Sequence, residues 1–244
     1  MRQRADLLLV EHGLFPTRAR AQAAIAAGLV TADGLPVRKA SDRVESGAFI
    51  GAEEPYPYVS RGGVKLAAGL NAFGFDPAGW VCLDLGASTG GFSDVLLRRG
   101  ARRVYAVDVG RGQLHPSLAG GPRIVSLEGL DGRSLNAGLV LDSVGLLVAE
   151  VSFISLKLAL LAAVALLAAG GDLVVLVKPQ FEAGPKAVGK GGIVRDPRHR
   201  AEAVENVRRF LAEEAGWTVI GVIPSPLQGA DGNEEFLLGA VRPA

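Results

Sequence analysis

The sequence predicts an α/β protein in two parts, a small α+β module followed by a larger, mostly parallel sheet with helices on both faces. Three observations carry this. Beyond Val81, apolar runs such as VCLDL, RRVYAVDV, VGLLVAEV and DLVVLVKP alternate with helical stretches; uninterrupted apolar strands separated by helices mark a parallel sheet buried on both sides. The first fifty residues instead carry a helix pair and a hairpin signal. Between the two lies GAEEPYPY, Gly51 to Tyr58, with two prolines, two acids and no periodicity, as a linker has. The domains are therefore expected at residues 1–58 and 59–244.

In the small module, Asp6 to His12 has an apolar helical pattern closed by Gly13. Thr17 caps a second helix that runs through Ile25 to Gly28. LVTADGLPV follows, and Asp33-Gly34 between short apolar runs is a strong hairpin signal. In the large part, GFSDVLLRR reads as a helix, and Leu158 to Ala169 (LALLAAVALLAA) as a buried core helix. A charged amphipathic helix is expected from Pro197 to Ala215. WTVIGVIPSP and EEFLLGAVR then form an antiparallel hairpin at one sheet edge.

Composition narrows the function classes. Among 244 residues the formal net charge is only +1, so total charge does not announce a nucleic-acid binder. The single cysteine, Cys82, cannot form an internal disulfide, and MRQRAD lacks the apolar run of a signal peptide, which points to the cytoplasm. The stretch from Leu158 is too short to cross about 30 Å of hydrocarbon, so no membrane partner is expected. Three scattered histidines show no ligand spacing, and no metal is assigned.

After the first strand of the large part comes Asp84-Leu85-Gly86-Ala87-Ser88-Thr89-Gly90-Gly91-Phe92, a glycine-rich turn opening a helix. Such turns let the backbone approach a nucleotide-type cofactor beyond the carboxyl ends of the strands. The dinucleotide fingerprint would want glycine where Ser88 stands, which disfavours NAD without excluding it. Asp108, ending the second strand, can accept both hydroxyls of a ribose. Four ionisable residues stand at element ends: Lys65 in SRGGVKL, Glu150 in LLVAEVSFISL, Lys178 in LVVLVKPQFE and Glu235 in GNEEFLL. Taken singly, each is equally read as half of an ion pair at the sheet rim.

Together these segments resemble the FtsJ-type ribose methyltransferases, and more closely the TlyA family of haemolysin-like ribosomal RNA 2′-O-methyltransferases. SRGGVKL, DLGASTGGFSDVLL, VDVGRGQL, VSFISL, VKPQFE, KGGIVRD and GNEEF stand in the family's order. The run from Arg4 to Val44 is similar to the RNA-binding domain of ribosomal small-subunit protein four. The resemblance implies a Rossmann-like class I methyltransferase sheet and S-adenosyl-L-methionine as cofactor. That cofactor would lie on Asp84, Gly86, Ala87, Ser88, Thr89, Gly90, Gly91 and Phe92, with Asp108 and Val109 beyond them. It implies a catalytic tetrad of Lys65, Glu150, Lys178 and Glu235, in which Glu150 stands where the family has aspartate. Lys178 would take the proton of a ribose 2′-hydroxyl or, as an ammonium, orient it and stabilise the developing oxyanion. The implied substrate is a cytidine in ribosomal RNA, presented free or in ribosomal subunits.

In the small module Arg4, Arg18, Arg20, Arg38, Lys39 and Arg43 lie among few acids, and Arg61 sits beside the tetrad lysine. Charge alone fits a solvated basic face as well as a phosphate site; the resemblance makes Arg4, Arg18, Arg20, Lys39, Arg43 and Arg61 RNA contacts. Two further readings stay open: a membrane-active haemolysin, and a catalytically silent RNA-binding protein. Oligomeric state is not legible.

Overall fold

The computed structural model describes residues 1–229 and 231–243. The chain divides into two units, Met1–Pro57 and Tyr58–Ala244. In the first, strand β1 (Arg2–Arg4) leads into helix α1 (Ala5–Glu11) and helix α2 (Arg18–Ala26), followed by β2 (Val30–Ala32), β3 (Leu35–Pro36), β4 (Arg43–Glu45) and β5 (Ile50–Ala52). The Thr17 hydroxyl accepts from the Arg20 amide and caps α2. Asp33 and Gly34 both adopt positive φ, the two-residue turn that matches strand twist in a hairpin. Leu8, Leu9, Phe15, Ala24 and Ile25 form this unit's own core. One expectation is corrected: Gly51 and Ala52 are not linker but part of β5, paired with Thr31 and Val30. Backbone pairing with β2 completes the small sheet despite the lack of apolar periodicity.

The second unit begins with α3 (Arg61–Phe73), β6 (Val81–Leu85), α4 (Gly91–Arg98), β7 (Arg103–Asp108) and β8 (Ile124–Glu128). There follow β9 (Val144–Ala149), α5 (Leu156–Val164), β10 (Leu167–Val177), α6 (Pro179–Glu182), α7 (Pro197–Arg209), β11 (Thr218–Pro224) and β12 (Phe236–Val241). Seven strands form one sheet in the order β11-β12-β10-β9-β6-β7-β8. β6 to β10 run parallel; β12 is antiparallel to β10 and β11 to β12, the terminal hairpin expected from sequence. Strand alternation splits the core in two. Leu83, Leu147 and Val175 pack toward α5 and α7, whereas Cys82, Leu146 and Val174 pack toward α3 and α4.

Two readings of elements are corrected. The apolar helix ends at Val164, not Ala169, and Leu167 already pairs with Val144 of β9. Alanine and leucine favour helix, but burying Leu167 against β9 outweighs that preference. The Arg242 guanidinium, donating to the carbonyls of Val164 and Leu167, terminates the helix. β8 was not anticipated: only five residues long and half-buried, it lies at the sheet edge beside β7. The charged helix does follow Pro197 but closes in a single π-helical turn, Phe210–Glu214.

Candidate active site

The chain leaves β6 for β7 and β8 on one side and returns to β9 on the other, so strand order reverses between β6 and β9. In open α/β sheets, ligands bind beyond the carboxyl ends of the strands at such a switch point. Here the two strands open onto a cleft of about 640 Å³. It is lined by Gly86, Ser88, Asp108 and Val109 from the ends of β6 and β7, by Glu150 and Ser152 after β9, and by Gln113 and Asp131. Gly86 has φ +84°, and a Cβ there would stand 2.4 Å from the Glu150 carbonyl oxygen, so only glycine allows the two strand ends to meet. Asp108 is held ready: its carboxylate accepts from the amides of Ser88 (2.8 Å) and Gly110 (2.7 Å). Its other lone pairs remain to accept hydroxyls.

The rest of the expected cofactor set behaves differently. Asp84, Ala87, Thr89, Gly90, Gly91 and Phe92 do not line this cleft. Strand alternation turns Asp84 with Cys82 toward α4, where it is fully buried and accepts from the Ser93 hydroxyl at 2.7 Å. Phe92 is a core side chain beside Leu96. Asp84 and Phe92 thus support the turn from the core side, whereas Thr89 is exposed. Burial pushes the Asp84 carboxyl up to about 7, a rise that the Ser93 hydroxyl opposes and Glu150 and Asp108 reinforce. The folded chain therefore holds this proton more tightly than the unfolded chain, whose value is near 3.8. The resulting stability is complete below about pH 4 and lost as the pH rises through 7. Asp84→Asn is expected to flatten that fall; an unchanged difference in melting temperature between about pH 5 and about pH 8 would contradict the assignment.

The four ionisable residues meet. Glu150 follows Val148, Lys178 follows Leu176 and Glu235 precedes Leu237, each two residues from a side chain on the α3 face; Lys65 comes from α3 itself. Because β12 runs against β10, its first residues arrive at the edge where β10 ends. Lys65 Nζ donates to Glu235 Oε2 at 2.6 Å, and both residues are buried. Glu150 Oε1 lies 3.5 Å from Lys65 Nζ and 3.3 Å from Lys178 Nζ, which also donates to Ser152 Oγ at 3.0 Å. The longer acid thus bridges both lysines. Gly62 makes room for it: a Cβ there would meet Glu150 Oε2 at 2.9 Å.

Sequence reasoning overlooked several partners. Ser152 and Glu182 stand inside quoted motifs, VSFISL and VKPQFE, yet were given no role. Glu182 accepts from the Ser155 hydroxyl and the Leu156 amide, both at 2.7 Å, capping α5 and tying its start to the segment after Lys178. Gln113 likewise stands inside a quoted motif, VDVGRGQL, whereas Asp131 had no sequence signal beyond its place after β8. Glu128 fixes the Gln113 loop by accepting from the amides of Gly112, Gln113 and Leu114.

The basic residues are less free than the scarcity of nearby acids implied. Arg4 and Arg18 both bind Asp6, and Arg20 binds Glu54 at 2.5 Å and the Tyr56 carbonyl. Lys39 and Arg43 are exposed. The Arg61 guanidinium donates to the Gln228 carbonyl at 2.8 Å, joining the start of α3 to the segment before β12.

A reversed parallel sheet, a glycine turn at its switch point and a Lys-Glu-Lys-Glu cluster define a class, the Rossmann-like methyltransferases. The family model described as FtsJ-like methyltransferase matches residues 58–242, and that of the S4 domain residues 3–50. The "16S/23S rRNA (cytidine-2'-O)-methyltransferase TlyA" of Mycobacterium tuberculosis is 46% identical over 239 residues, covering 97% of this chain and 89% of that protein. "Hemolysin A" of Brachyspira hyodysenteriae is 37% identical, over 96% of this chain and 98% of that protein. The solved structure described as "Putative hemolysin from Streptococcus thermophilus" superposes with a TM-score of 0.78 at 39% identity, covering 99% of this chain and 89% of that one. The chain belongs to the TlyA family of FtsJ-like methyltransferases, with an S4 domain ahead of the methyltransferase domain.

Proposed function

We propose that this protein transfers a methyl group from S-adenosyl-L-methionine to the ribose 2′-hydroxyl of a cytidine in ribosomal RNA, in the cytoplasm. The observation that carries this reading is the Lys65-Glu150-Lys178-Glu235 cluster at the lip of the switch-point cleft. The cleft fits the cofactor on its own chemistry: a carboxylate, Asp108, oriented by two amides at the end of β7, a second, Asp131, further along, and room for a nucleoside beside Gly86. When bound, the cofactor supplies an electrophilic methyl on a sulfonium centre.

The remaining work belongs to this chain. Lys178 Nζ donates to Glu150 and Ser152, which fixes the nitrogen and leaves a third N–H for a ribose oxygen. Holding that oxygen in line with the methyl converts an encounter into a positioned reaction, and the adjacent cation stabilises the charge that develops on the oxygen as its proton passes to solvent water. Lys65, locked to Glu235, holds the other side of Glu150 and so sets where Lys178 stands. Phe153, nine-tenths exposed beside Ser152 with its ring 5.3 Å from that of Phe181, offers a face for the substrate base. Among the described residues no helix is long and apolar enough to cross a bilayer.

The test is to map ribose methylation on ribosomal RNA from cells with and without the gene. Loss of one or more 2′-O-methylcytidines is the expected result, and identical maps would overturn the reading. For the cofactor, Asp108→Ala removes hydrogen bonds of about 1.5–3 kcal/mol each, so calorimetry should show affinity weakened by at least tenfold. Unchanged affinity would place the ribose elsewhere.

A further inference from the structure

We propose that Asp6 is a positioning residue that makes Arg4 and Arg18 a fixed clamp for RNA phosphate on the small unit. This rests on the reading of that unit as the RNA-binding part. Asp6 is fully buried in the first turn of α1, and three side chains converge on it. Arg4 approaches with Nε (3.0 Å) and Nη2 (3.2 Å), Arg18 with Nη2 (2.8 Å) and Nε (3.3 Å), and Gln22 with its amide (2.7 Å). The arginine bonds, with burial opposing them, hold the Asp6 carboxyl far below the usual carboxylate range, so it stays charged.

Burying this carboxylate would need one arginine; it has two, and neither is consumed. Arg4 is 38% and Arg18 53% exposed at the side chain. Each guanidinium turns its Nε and one Nη toward Asp6 and keeps other N–H groups for a ligand. A second observation points to an anion. In the β1–β4 ladder Arg4 lies directly opposite Arg43, whose side chain is exposed and finds no partner among the described residues. Like charges opposite one another destabilise a strand pair. A purely structural ion pair gives no reason to place a third cation there, whereas a phosphodiester does. The amides of Ala5 and Asp6 donate to the carbonyls of Asp42 and Ala40, which draws the segment carrying Lys39 and Arg43 against the start of α1. The group is rigid, net positive and partly exposed. Preorganised guanidinium forks bind phosphate better than the same charges on free side chains.

The charge of Asp6 makes the test a matter of sign. Asp6→Asn removes a negative charge from a basic site; if charge alone draws RNA, the full-length variant binds more tightly. If Asp6 aligns the arginines, it binds more weakly. Affinity of the full chain for purified ribosomal subunits, over a series of salt concentrations, reads this directly. Arg4→Ala/Arg18→Ala should reduce affinity by at least about thirtyfold and lower the salt slope by about two. Asp6→Asn should weaken binding about tenfold despite its added charge, and Arg4→Lys/Arg18→Lys, which keeps both charges but loses the forks, should do the same. Where circular dichroism shows Asp6→Asn to be unfolded, the lysine pair decides. Lysine variants binding at normal affinity, or a folded Asp6→Asn binding as tightly as the parent, overturn the clamp. If the double-alanine variant itself binds normally, the RNA-binding reading of the unit falls as well.

Discussion

Replacing Lys178 by alanine is expected to lower methyl transfer by about a hundredfold or more while melting temperature and cofactor affinity hold. The side chain is 12% exposed, and its nitrogen is shared between the Glu150 carboxylate and the Ser152 hydroxyl. Removing it takes away the only one of the two lysines that is not already locked to Glu235. The fold should tolerate the loss because Glu150 keeps Lys65 within 3.5 Å and is itself 23% exposed. Arginine is the sharper substitution. It retains a cation for phosphate, but its planar fork cannot occupy the point between Glu150 and Ser152 from which the Lys178 ammonium donates. Both variants should be nearly inactive on ribosomal subunits. An arginine variant working at close to the parent rate would show that Lys178 is only an electrostatic contact.

Lys65 should behave in the opposite way, failing first in stability. Its side chain is 6% exposed and that of Glu235 only 2%, so Lys65→Met leaves a carboxylate buried with no compensating charge. Breaking such a pair from one side costs about 3–5 kcal/mol, visible as a lowered midpoint in denaturant. Removing both charges, Lys65→Met with Glu235→Gln, should recover most of that loss, since the penalty lies in the orphaned charge more than in the missing attraction. Activity should not return, because Glu150 would then be held from one side only. A Lys65→Met variant within about 1 kcal/mol of the parent would mean the pair is far better solvated than its burial implies.

Much of this was legible in the sequence, and the parts that were not share a physical character. Apolar runs closing on a charge, VAE and LVK, announced both the strands and the cluster at their ends, because charge is tolerated there only at an edge. Only the end of the helix expected from Leu158 to Ala169 was misplaced, because alanine and leucine favour helix throughout the stretch; Val144 and Arg242, distant in sequence, decide where it stops. Asp84 was expected at the cofactor, yet its side-chain direction follows from strand parity, which needs the register of β6 against its neighbours. Glu182 and Ser152 sat in motifs already singled out; their partners lie on other segments, and no local pattern reports them. In the small unit, counting acids near the arginines missed how many cations one buried aspartate gathers.

The placement of β12 has a consequence for how the molecule assembles. It is the last strand of the described chain but the sixth of seven positions counted from β8, lying between β10 and β11. Until it docks, β10 exposes an unpaired apolar ladder, the kind of edge that recruits other chains. Lys65 and Glu235, 170 residues apart, can join only at that moment. Contacts of such long range form late and slow the approach to the native state. The switch-point cleft, built from β6, β7 and β9, needs none of the last strand, so the step that closes the sheet against aggregation is also the one that completes the four-residue cluster.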